Sequence, residues 1–166
     1  MEENENNLNK EVEKRGPGVH FLLSHSYLVF LFSVILGVIF DMFVSFNLFL
    51  NAPSQGIGVG LIFIGSIIVY WAQTTSGNYK ENDPKFKDKS FFYRGPYKFT
   101  RNPTHFGLMV MTLGLALLIN SFFSVVFTIV AHVLTKILFV KKQERILEKK
   151  YGDIYLNYKK KVKNWI

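Results

Sequence analysis

Three long stretches of this chain carry no Asp, Glu, Lys or Arg: Gly16 to Phe40, Met42 to Tyr79 and Asn102 to Thr135. A helix that crosses a bilayer needs roughly 20 mostly apolar residues, because hydrocarbon offers its backbone groups no partners other than one another. The runs therefore have room for several spans. The chain is 49% hydrophobic and 16% aromatic, yet it also holds 20 basic and 12 acidic residues. Such a mixture is tolerable only if apolar and charged residues are segregated, as they are here. This pattern is that of an integral membrane protein.

The first span is expected at about 24–48, centred on YLVFLFSVILGVIF, and the second at about 57–73, after a turn from Asn51 to Gly56. The third run is too long for one span. Asn120 and Ser121 interrupt it near its middle and divide it into a helical hairpin, about 105–119 and 122–140. Of the 20 basic residues, three precede the first span, seven lie between Lys80 and Arg101, and ten follow from Lys136 onward. Four spans place all of these on one side, as the positive-inside rule requires, with both termini cytoplasmic. The net charge of +8 then reflects topology and anionic head groups, not nucleic acid.

Residues 1–18 are polar and Asn-rich and lack the basic start and cleavage site of a signal peptide, so a disordered cytoplasmic tail is expected, with a single domain over 19–166. The last 26 residues put apolar side chains at 146, 147, 151, 154, 155, 158, 162, 165 and 166. That spacing predicts an amphipathic helix lying along the interface, bent at Gly152 and anchored by Trp165. The expected architecture is an all-α integral membrane protein of four transmembrane helices plus this C-terminal amphipathic helix.

Two polar segments border the hairpin, RGPYKFTRNPTHFG (94–107) before it and the helix opening at Gln143 and Glu144 after it. The hairpin forces them together. Arg101 can clamp a carboxylate or phosphate, Glu144 can accept from ammonium or hydroxyl donors, and Tyr97, Phe99, His105, Tyr151 and Tyr155 supply aromatic surfaces. Glu144, Glu148, Tyr151 and Tyr155 follow i, i+4, i+7 and i+11 and so share one helical face. The chain has no cysteine, and its His residues (20, 25, 105, 132) lack metal-site spacing. Neither a thiol nucleophile nor a metal is expected.

GPYKFTRNPTHFG followed by QERILEKKYGDIYLNYKKKVKNWI resembles the membrane methyltransferases related to isoprenylcysteine carboxyl methyltransferase and the bacterial phospholipid methyltransferases. Their pattern is Gly-Pro-aromatic, Arg-His/Asn-Pro-x-Tyr-x-Gly, a helical hairpin, Glu-Glu, Phe/Tyr-Gly and two spaced Tyr. The likeness covers Arg94 to Ile166. It implies S-adenosylmethionine as methyl donor at the cytoplasmic face of a bacterial inner membrane, with a lipophilic acceptor entering from the bilayer. Carried over position by position, it implies donor contacts from Gly95, Pro96, Tyr97, Arg101, Asn102, Pro103, His105, Gly107, Gln143, Glu144, Tyr151 and Tyr155. Arg101, His105 and Glu144 take catalytic roles.

Two positions depart from the pattern. Gln143 replaces the first Glu, and His105 replaces Tyr, adding a general base that slightly favours an amine or phenol-like acceptor over a carboxylate. Acceptor identity stays open between an isoprenylcysteine-type carboxylate and a phospholipid-type amine. Steroid and sterol reductases, which use NADPH, have a similar Arg-His-Pro-x-Tyr-x-Gly region, and a non-catalytic lipid-binding or packing protein is a further alternative. Structural readings compete residue by residue: Pro103 and Gly107 as helix start and packing, Arg101 as a snorkelling anchor, Glu144 as a solvated ion pair, and Tyr151, Tyr155 and Tyr158 as interface packing. Gly56 and Gly60 fit a GxxxG helix contact. His132 reads as a packed polar residue, and Asp41 has no assigned role.

Overall fold

The computed structural model describes residues 19–44, 53–77 and 92–164, and the side chains of 23–44, 55–76 and 92–164. The expected N-terminal tail, the turn at Asn51 and Ala52, and the anchor Trp165 lie outside the described residues. Helices α1 (Val19–Phe43) and α2 (Pro53–Gly77) are followed by a short 3-10 turn (Gly95–Lys98) and α3 (Pro103–Leu118). Helix α4 (Phe122–Thr135) then runs without a break through a π-helical turn (Lys136–Val140) into α5 (Lys141–Tyr151), and α6 (Asp153–Lys161) follows.

Among the described residues, three stretches are long and apolar enough to cross a membrane: Leu23–Phe43, Gln55–Ser76 and the continuous Phe122–Tyr151. Helix α3 is apolar but has only 16 residues, about 24 Å of rise. Large apolar side chains such as Leu31, Phe32, Phe63 and Ile67 point outward and are more than half exposed. In water such a surface would be a liability; in lipid it is the natural exterior.

Small residues bring the helices together around buried Phe30 and Leu108. Helix α3 packs mainly on α2, and α4 on α1. Along the first pair, a Cβ at Gly58 would lie 2.7 Å from the Gly114 carbonyl, and one at Gly65 would lie 2.7 Å from the Gly107 carbonyl. Two glycines seven residues apart on one helix thus meet two with the same spacing on its antiparallel neighbour. Close backbone approach replaces the hydrophobic effect, which cannot drive association among lipid tails. Among the described residues the expected contact through Gly56 and Gly60 is not formed: a Cβ at either would meet nothing within 4 Å. GxxxG identifies a smooth helix face but not which face turns inward, and here the seven-residue stripe through Gly58 and Gly65 does.

The α3–α4 turn forms where Asn120 and Ser121 stand. Asn120 adopts φ 55°, the Asn120 N–H donates to the Leu117 carbonyl, and the Ser121 N–H donates to that of Ala116. This pair of bonds closes α3 with a left-handed cap. The Ser121 hydroxyl then accepts from the Ser124 N–H at 3.0 Å, starting α4;. Ser124 in turn packs against Gly37 of α1. Asp41 sits two residues before the last residue of α1, so it lies at the end of that helix rather than well inside it.

Candidate functional site

The polar segment before α3 is shaped by its own sequence. Gly95 takes φ +52° against Thr75 of α2, where a Cβ would come within 2.5 Å of that hydroxyl. Pro96 starts the 3-10 turn, and Pro103 starts α3 at a position where its missing N–H costs nothing;. The turn therefore ends by delivering Arg101 and Asn102 to the mouth of α3, and His105 one turn inside. Burial pushes the Tyr97 phenol up, opposed by hydrogen bonds to Ser76 and Thr104.

Across the cleft stands the first turn of α5, delivered there by the unbroken helix from Phe122. Gln143 and Glu144 are both buried. The Arg101 Nη2 lies 3.1 Å from Glu144 Oε1, and His105 Nε2 lies 3.2 Å from Gln143 Oε1. Lys159 of α6 completes the set, 3.0 Å from Glu144 Oε2 and 2.6 Å from Glu148 Oε1. These two carboxylates push the Lys159 ammonium up.

The pairing is incomplete in an informative way. Arg101 Nε, Asn102 Nδ2 and Gln143 Nε2 are buried donors with no partner among the described residues, and Glu144 Oε1 lacks an aligned hydrogen bond despite its ion pair. Unmet buried groups cost about 1–3 kcal/mol each, so several at one place mark an arrangement suited to a ligand. Three spare donors and a spare acceptor match a molecule carrying a carboxylate, an ammonium and hydroxyl or ring-nitrogen acceptors. A cavity of about 10 Å³, room for one water, opens beside them between Asn102, His105, His132 and Thr135;.

Of the residues singled out in the sequence, the fold brings Arg101, Asn102, His105, Gln143 and Glu144 to one cleft. Gly95, Pro96 and Tyr97 support it from behind, where the Tyr158 hydroxyl donates to the Tyr97 carbonyl at 2.7 Å. Pro103 is buried at the start of α3, and Gly107 faces Ile68 and Val69 of α2 rather than the cleft. Tyr151 and Tyr155 both pack edge-on against Phe92, at 5.1 and 5.3 Å between ring centroids. The single face expected through Glu144, Glu148, Tyr151 and Tyr155 is broken at Gly152, whose φ of 51° ends α5. Lys159 escaped sequence reasoning because it reaches Glu144 only across that break. The one available signal was Gly152 followed by Asp153, a helix stop and then an acid in a first turn.

A family model of phospholipid methyltransferases matches residues 54–154, which includes α2, the polar segment, the α3–α4 hairpin and α5. Neither curated proteins nor solved structures yield a match. The matched region is well over half of the chain and contains both sides of the cleft. With its long apolar helices, the chain is a membrane protein and belongs to the phospholipid methyltransferase family.

Proposed function

We propose that this protein transfers a methyl group from S-adenosylmethionine to a lipophilic acceptor held in the bilayer. The observation that carries the reading is the meeting of Arg101 and Glu144, 43 residues apart in sequence, at 3.1 Å amid the orphaned donors of Arg101, Asn102 and Gln143. The donor supplies an electrophilic methyl group on a sulfonium. Arg101 would hold its carboxylate, Glu144 its ammonium, and the Asn102 and Gln143 amides its hydroxyl or ring-nitrogen acceptors. No side-chain nucleophile is required, because approximation and alignment supply most of what an in-line displacement needs.

A cavity of about 10 Å³ cannot contain such a molecule, since small-ligand pockets run to roughly 300–1,000 Å³. Binding therefore entails separation of Arg101 from Glu144, each then taking its counterpart on the ligand. The exchange of one ion pair for two keeps both charges paired throughout. We further place α3 as a fourth, short span, with α5 and α6 lying at the cytoplasmic interface and the cleft on that side, since all basic segments collect there.

Calorimetric titration of the detergent-purified protein with S-adenosylmethionine, S-adenosylhomocysteine and NADPH tests the reading. Saturable binding of the first two is expected. Binding of NADPH alone would establish a reductase, and binding of none would leave a non-catalytic lipid-binding protein.

A further inference from the structure

Three lysines in a row close α6, and only the first is turned toward the protein. Lys159 follows Tyr155 by four residues and precedes Val162 by three, which puts it beside the buried stripe of that helix, while Lys160 and Lys161 are exposed;. A lysine at a membrane interface ordinarily extends its ammonium into water. Lys159 instead sets it between two carboxylates one turn apart on α5, 3.0 Å from Glu144 Oε2 and 2.6 Å from Glu148 Oε1.

The two cations on Glu144 are not equivalent. Arg101 takes Oε1, the oxygen that lacks an aligned hydrogen bond, whereas Lys159 takes Oε2. Only 11% of the Glu144 side chain is exposed, and a carboxylate so placed is costly without a counter-charge. Once Arg101 turns to the donor's carboxylate, Lys159 is the cation that remains on Glu144 among the described residues. It keeps the acid paired at one oxygen and leaves the other open to the donor's ammonium. A carboxylate gripped at one oxygen also rotates little, so the vacated oxygen stays aimed into the cleft. A lysine that competed with the ammonium would sit on the oxygen that Arg101 vacates, and Lys159 does not.

Resting on the methyl-transfer reading, we infer that Lys159 is a positioning residue for the methyl donor, bracing Glu144 from behind so that this acid receives the donor's ammonium. Helix α6 thereby becomes part of the donor site, although the region matched by the family model stops at residue 154, before Lys159. The break at Gly152 is what makes this possible, because a helix continued straight from α5 would not return Lys159 to Glu144. Lys159 acts on the donor through Glu144.

Calorimetric titration of the full chain in detergent with S-adenosylhomocysteine tests the brace. Lys159→Met keeps a long side chain but removes the charge, and should weaken binding by roughly fivefold; Lys159→Arg should recover most of that loss. Lys161→Met changes the net charge equally from the exposed face of α6 and should bind like the wild type. Positioning differs from simple support of α6 in its coupling to Glu144. In a Glu144→Ala background, adding Lys159→Met should cost no further affinity, since the group it acts through is gone. Wild-type or tighter binding by Lys159→Met, the same loss from Lys161→Met or Lys159→Arg, or an equal loss with and without Glu144 would overturn the brace while leaving the methyl-transfer reading intact. Failure of the wild-type protein to bind S-adenosylhomocysteine would overturn both.

Discussion

Glu144 holds two cations at once, Arg101 at 3.1 Å and Lys159 at 3.0 Å, whereas Glu148 meets Lys159 with a side chain more than twice as exposed. The two acids should therefore separate experimentally. Glu144→Ala leaves Arg101 buried without its counter-charge and removes the acceptor for the donor's ammonium, so donor affinity should fall by about 2 kcal/mol or more, roughly 30-fold. Glu148→Ala should cost little. Equal small losses in calorimetry would remove Glu144 from the site. Tyr155 makes a different prediction, because burial and then the Glu144 charge raise its phenol, and burial raises that of Tyr158 as well. A tyrosine raised on folding leaves stability intact below its unfolded value, near 10, and takes stability away as pH climbs past it. Thermal melts should accordingly fall steeply above about pH 10, and Tyr155→Phe should flatten that decline. An unchanged slope would show that the Tyr155 ring ionises freely.

Among the elements, the break between α5 and α6 is what lets Lys159 fold back over Glu144. Gly152 sits at φ 51° and ψ −129° with open space where a Cβ would stand. The obstacle to substitution is thus backbone conformation rather than crowding, and Gly152→Ala should cost about 1–3 kcal/mol, visible as a lower melting temperature. If the mutant melts like wild type, the chain tolerates a straight helix there. Helices α2 and α3 depend on the opposite property, close contact. A Cβ at Gly65 would stand 2.6 Å from the Met111 backbone nitrogen, so Gly65→Val should push the helices apart and cost about 1–3 kcal/mol or more, whereas Gly60→Val should be nearly neutral. A larger loss at Gly60 would reverse the assignment of faces. The hairpin at Asn120 and Ser121 was legible beforehand because its signal is local: a polar pair in an apolar run, one residue tolerant of positive φ and the next a good cap;. The inward glycines were not, since helix rotation is settled by which neighbour is present.

At the scale of the whole molecule, the proposed topology puts the α3–α4 turn on the far side from both basic ends. The absence of cysteine makes this directly measurable. Ile119→Cys should react with an impermeant maleimide in intact cells, and Lys160→Cys only after permeabilisation. Labelling of both from one side would rule out α3 and α4 as a spanning hairpin. The apolar runs, their segregation from charge and the pairing of 94–107 with the helix at Gln143 were all readable along the chain, because length and hydropathy suffice to place helices in a bilayer. What tertiary structure alone decided is narrower: that Arg101 faces Glu144, that Lys159 joins them, that Gly107 packs against α2, that Tyr151 and Tyr155 pack on Phe92, and that His105 and His132 share a cavity. These facts depend on helix rotation and on where one helix stops and the next begins, which are set by close contact between surfaces that sequence spacing does not bring into register.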